Sequence, residues 1–234
     1  MPYRRLPNTD KSRLKAIKTL LDNNELYTVR DRFIEWKDIN EAKTVYDKLL
    51  TLVSQYEIDK TAQSRSKVKI EKLQRNAYLY MSHFIQVLKM SIERGEIKKS
   101  ALKFYSLPED MTGSPNLQII SELLEWGPKF IAGEKERVKR GGRPIYNPTV
   151  GMVSTHFDIY REAYEKHKVL QDRTREMERQ LKEVRPGIDE LILRIWDSIE
   201  AHYAGKTVAE RMAECEKYGM RYYYRRGEKE KMQL

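Results

Sequence analysis

Histidines, a lysine beside a glycine turn and a lone cysteine are the residues of this 234-residue chain that could do chemistry, and their spacing is the first test of whether they do. A helical two-metal centre needs Glu-x-x-His pairs facing one another, and a zinc protease needs His-Glu-x-x-His, because the ligands must converge from one helix face. His83, His156, His167 and His202 show neither spacing. His83, in "YMSHFIQV", reads as a hydrogen-bonded packing residue on an apolar-sided helix. His202 reads as a side chain at a helix end, where the negative end of the dipole favours it. "AGKT" at 204–207 shares its ending with a phosphate-binding loop, but Glu200 stands where the first glycine is required and no strand precedes it. Gly205 is instead expected to close one helix, and Thr207 with Glu210 to form a capping box for the next. Cys215 lies between Glu214 and Glu216, whose charges raise a thiol's pKa, so it is a poor nucleophile, and a single thiol makes no internal disulfide. Gly141-Gly142 lacks the third glycine and the strand-to-helix context of a dinucleotide fingerprint. No catalytic residue, metal ligand or cofactor is therefore expected, and the chain reads as a non-enzyme.

Binding signals are stronger than catalytic ones. The formal net charge is +10, and it is uneven: residues 1–100 hold 21 Lys and Arg against 13 Asp and Glu, residues 101–234 hold 24 against 22. Such a field draws in anionic partners, nucleic acid included, and it also keeps a protein soluble. Within it, Lys60, Arg65, Lys67, Lys69, Lys72 and Arg75 share sixteen residues with one acid, Glu71. Arg65, Lys69, Lys72 and Asn76 fall along one helical face, a track for phosphates or simply a solvated face. Arg4 and Arg5 add a basic arm. Near the C-terminus "YGMRYYYRRGEK" holds four tyrosines and three arginines in twelve residues. Alternation there places Met220, Tyr222 and Tyr224 on one face of an extended segment and Arg221, Tyr223 and Arg225 on the other, with Arg226 beyond. A lone strand leaves its backbone unpaired, so a partner is expected at Pro2–Leu6 or at Leu26-Tyr27. No zinc finger, helix-turn-helix or RNA-recognition signature is present.

The elements that position these residues are helices. Apolar residues recur at intervals of three and four through Leu14, Ile17, Leu20 and Leu21, after a Thr9 or Asp10 cap. Residues 38–94 predict a helical hairpin or one very long helix closed by Gly95. "SLPEDMTGSP" cannot be helical and suggests a loop at 108–116 between an N-terminal basic bundle at 1–107 and a C-terminal bundle at 117–234. Gly127-Pro128 should break or kink the next helix. The pattern from Thr149 to Val184 is long, and its stretch 171–184 is apolar only at Met177, Leu181 and Val184, which suggests a projecting coiled-coil hairpin or a contact with another subunit. Pro186-Gly187 is expected to make the turn of that hairpin, with "IDELILRIWDSIEAHY" returning antiparallel. No apolar run reaches the roughly 20 residues of a membrane span, and no secretory leader is legible, so a cytoplasmic protein is expected.

Several phrases together, "MPYRRLPNTD", "SHFIQVLKMSIERGEIKKSALKFYSLPED", "GRPIYNPTV", "LILRIWDSIEAHY" and "YGMRYYYRRGEK", resemble a family of all-helical bacterial proteins with no assigned activity. The resemblance spans most of the chain and implies one unit of bacterial cytoplasmic origin, without a cofactor or catalytic residue to carry over. The combined expectation is an all-α protein of two associated helical bundles with a small two-stranded ribbon. Its expected role is a non-catalytic interaction or scaffold protein that contacts a protein partner or itself through the long hairpin. The alternative is a sequence-independent nucleic-acid binder using the basic N-terminal half.

Overall fold

A computed structural model of the chain describes residues 3–24, 33–109 and 115–224. In chain order these form strand β1 (Tyr3–Arg4), helices α1 (Asp10–Asn24) and α2 (Trp36–Glu93), a 3-10 helix (Lys99–Tyr105), helices α3 (Ile120–Lys139), α4 (Val150–His202) and α5 (Val208–Lys217), and strand β2 (Tyr222–Tyr223). The fold is all-α with a small antiparallel ribbon, as the apolar periodicity predicts. Residues 38–94 contain neither glycine nor proline, and α2 is accordingly a single helix. It ends as expected at Gly95, where Glu96 N donates to Ser91 O at 2.9 Å.

Pro186-Gly187 makes no turn: α4 runs through it to His202. A proline costs a helix one hydrogen bond and a steric clash, but Leu181, Ile188, Leu191, Ile192 and Ile195 form one buried stripe on both sides of it. Burying that stripe outweighs the local defect. Gly127-Pro128 likewise leaves α3 unbroken. There the glycine is a packing requirement, since a Cβ at Gly127 would overlap the Phe157 ring of α4.

Contacts divide the chain into two compact units, Met1–Asp59 with Arg173–Leu234, and Lys60–Asp172. The grouping differs from sequential halves on either side of 108–116, because α2 and α4 each contribute one part to each unit. Residues 110–114, and the Leu26-Tyr27 pair, lie outside the described residues.

In the first unit Ile17 and Leu20 of α1, Ile39, Ala42 and Leu49 of α2, and the α4 stripe form the core with Cys215, Tyr218 and Met220. Within the stretch 171–184 Thr174 is buried and Leu181 belongs to this core. Arg13 bridges Asp189 at 2.7 Å and Asp10 at 3.3 Å, while Arg185 holds Asp10 at 2.7 Å. The hydrogen bond from Arg185 pulls the Asp10 carboxyl below its ordinary pKa, against the opposing effect of burial. The ribbon pairs Tyr3 with Tyr223 and Arg4 with Tyr222, so the extended C-terminal segment takes its partner from 2–6. Gly219 precedes it with φ +85° and packs so closely on α1 that a Cβ would meet Ala16 O at 3.0 Å.

In the second unit Ala77, Met81, Phe84 and Leu88 of α2 pack with Leu102 and Tyr105 of the 3-10 helix, Leu123 and Phe130 of α3, and Val153, Phe157 and Tyr160 of α4. A wholly buried carboxylate, Glu134, ties this core to the following segment. It accepts from Tyr105 Oη, from Arg137 at 2.8 Å through each oxygen, and from Ile145 N at 3.0 Å. Arg137 also donates to Arg143 O at 2.7 Å. Every oxygen and guanidinium contact is internal, so the cluster is a structural clamp.

Candidate anion-binding surfaces

The basic run on α2 reads as one group in the sequence, but the helix separates it into two. At 100° per residue Lys67 projects about 160° away from both Arg65 and Lys69, with the buried Ile70 and Ala77 on the core side. Arg65, Lys69, Lys72 and Arg75 form the outer group. All four are exposed, and none has an ion pair among the described residues. Some helical cations are neutralised by an acid one turn away, as Lys129 is by Glu125 at 2.7 Å, Arg140 by Glu136 at 2.7 Å and Lys182 by Glu178 at 3.0 Å, while others, such as Lys43 and Lys48, are exposed without an ion pair among the described residues. Arg65, Lys69 and Lys72 have no acid at those spacings on α2, whereas Glu71 stands four residues before Arg75, and Glu162 of α4 lies near enough for the Lys69 charge to help lower its pKa.

Lys60 and Lys67, the inner group, line a cavity of about 620 Å³ within the second unit. Lys67 is exposed at its rim. Glu71 lines it from the same helix, Tyr160, Tyr164, His167 and Lys168 from α4, and Ile120 from the start of α3. The α4 residues fall at i, i+4, i+7 and i+8, the spacing of a single helix face. In the sequence Tyr160 and Tyr164 belong to the apolar pattern from Thr149 to Val184, and His167 fits no metal-ligand spacing. The legible signal was polar atoms at Tyr160 and His167 on a face that otherwise packs inward.

Arg4 and Arg5 diverge as neighbours in a strand must. Arg4 is neutralised by Asp197 at 2.6 Å, with Glu200 at 3.9 Å, and so is not a free contact for an anion. Arg5 N donates to Arg221 O at 2.7 Å. The ribbon thereby brings Arg5 and Arg221 to one cavity of about 570 Å³, lined also by Lys11, Lys15 and Glu216. Arg225 and Arg226 lie outside the described residues.

The remaining sequence candidates take structural positions. His83 is exposed rather than packed, because at 100° per residue it lies about 160° from the buried Met81 and about 100° from the buried Phe84. His156 stacks on Tyr80 and His202 on Phe33, each with ring centroids 3.9 Å apart. Thr207 and Glu210 form the expected capping box of α5. Gly205 lies in the preceding turn without the left-handed backbone of a glycine cap, since that turn closes through Lys206 N on Tyr203 O. Cys215 is buried, and burial more than its acidic neighbours raises its pKa. Among the described residues no three His, Cys, Asp or Glu side chains converge to hold a metal ion, and no helix is long and apolar enough to cross a membrane.

No protein-family model matches the chain, and neither a curated protein nor a solved structure is significantly similar to it.

Proposed function

We propose that the protein is a non-catalytic, sequence-independent nucleic-acid binder that grips the phosphate backbone with Arg65, Lys69, Lys72 and Arg75 of α2. The observation that carries this reading is the outer face of α2: four exposed cations in eleven residues, none in an ion pair among the described residues, and no acid one turn away on the helix from Arg65, Lys69 or Lys72. From Arg65 to Asn76 the face rises about 16 Å, enough to meet several phosphates in succession. Flexible, singly charged contacts without an aromatic platform beside them position a backbone and do not read bases. Gel shift of a mixed-sequence duplex at rising salt tests the proposal. Each phosphate contact contributes about −0.9 to the slope of log affinity against log salt, so Arg65→Gln/Lys69→Gln/Lys72→Gln should flatten it by about 2.7. Absence of binding at low salt, or an unchanged slope in the variant, overturns it.

A helical interaction protein is the second reading. It starts from the thin apolar stripe at 171–184, of which Leu181 and Val184 pack in the first unit's core. What supports it now is the exposure of Leu79, Met90 and Met152, 44–48%, along one groove of about 420 Å³ in the second unit.

A further inference from the structure

Burial along α2 is uneven. From Ala77 to Ile92 seven of sixteen side chains are buried, whereas from Lys60 to Asn76 only Ile70 is. A helical stretch resists local opening through what packs over it, so the lightly covered one opens first. The stretch of α4 that shares its cavity is covered no better: from Arg161 to Asp172 only His167 is buried. The cavity of about 620 Å³ lies along both, lined by Gln63, Ser64 and Gln74 of the first and Tyr164 and Gln171 of the second, so contacts that a close-packed seam would make are missing there. Tyr160 Oη and His167 Nδ1, buried without a protein partner, favour opening further, because it admits water to both.

The residues of the stretch act in the same direction. Thr61, Ser64, Ser66 and Val68 are weak helix formers within eight positions. Arg65 and Lys69 stand four apart, Lys69 and Lys72 three, and Lys72 and Arg75 three, so like charges are neighbours on the helix surface, with Glu71 the one acid of the stretch.

We infer that Lys60–Asn76 is a built-in weak segment of α2, which opens locally in the free protein and is held helical when phosphates neutralise Arg65, Lys69 and Lys72. The second half rests on the proposed function and gives its site a means of regulation: ordering accompanies binding, so the segment's helical stability sets the affinity.

Peptide-resolved hydrogen exchange of the full chain, corrected for intrinsic rates, tests this with and without a mixed-sequence duplex at low salt. In the free chain the amides of 60–76 should exchange at least about tenfold faster than those of 77–92, and the duplex should slow the first set about tenfold while leaving the second unchanged. Ser64→Ala/Val68→Ala replaces two exposed weak helix formers by the strongest one and touches none of the gripping cations. It should slow exchange at 60–76 in the free chain by about threefold to tenfold and tighten duplex binding by a similar factor. Equal exchange at 60–76 and 77–92 of the free chain overturns the inference, and so does an alanine variant in which neither exchange nor affinity moves. A duplex that binds in the gel shift yet leaves exchange at 60–76 unchanged overturns it as well. Absence of duplex binding removes the proposed function instead, and the free chain's exchange profile with its response to the alanines then decides whether the segment is weak.

Discussion

Charge at single residues is decided by what lies opposite. Arg4 and Arg5 are adjacent in sequence, yet Asp197 neutralises the first while the second turns to the Arg221 cavity. Asp10 is the clearest energetic case, with Arg185 and Arg13 both on its carboxylate. Its pKa in the folded protein lies below the ordinary carboxylate value, so its contribution to stability is present above about pH 4 and is lost as pH falls through the folded value. Asp10→Asn should therefore be less stable than the parent at pH 7, with the gap closing as pH is lowered below about 4. Urea unfolding of both proteins at pH 7 and pH 3 measures this, and a gap that does not change with pH would contradict it. The capping residues Thr207 and Glu210 were legible in advance because a cap is a local bargain between a side chain and amides three residues away. The pairing of Arg4 was not, since Asp197 is 193 residues distant.

Elements follow periodicity until a local breaker competes with burial. Proline and glycine at 186–187 read as a turn, and the buried stripe from Leu181 to Ile195 overrides them. Pro186 is exposed, so its replacement leaves packing untouched. Pro186→Ala restores an N–H and removes the ring clash, and should raise stability by about 1–3 kcal/mol with no loss of helical circular dichroism. Destabilisation of that variant would mean that the proline is required where it stands. Helix geometry likewise sorted the basic run: with 3.6 residues per turn, Lys60 and Lys67 face the cavity while Arg65, Lys69 and Lys72 face outward. The angular separation was present in the sequence; which side was inward depended on where Tyr160 and His167 lay.

At the scale of the whole molecule, function turns on whether exposed charge or exposed apolar surface meets a partner. The nucleic-acid reading expects a monomer in sedimentation at micromolar concentration. A dimer that Leu79→Lys/Met152→Lys dissociates would transfer the principal role to protein contact, since those side chains line the groove of the second unit. The sequence by itself determined the helical class, the helix caps, the alternating faces of the C-terminal strand and the surplus of positive charge. Each is a property of residues within one or two turns of one another, where backbone geometry alone sets the spacing. Only the tertiary structure decided that Tyr3 and Arg4 pair with Tyr223 and Tyr222, that the long helices contribute to two units, and that Tyr160 and His167 of α4 line one cavity with Lys60 and Lys67 of α2. Those outcomes depend on which distant surfaces exclude water together, and a linear pattern fixes the apolar face of each helix without fixing what covers it.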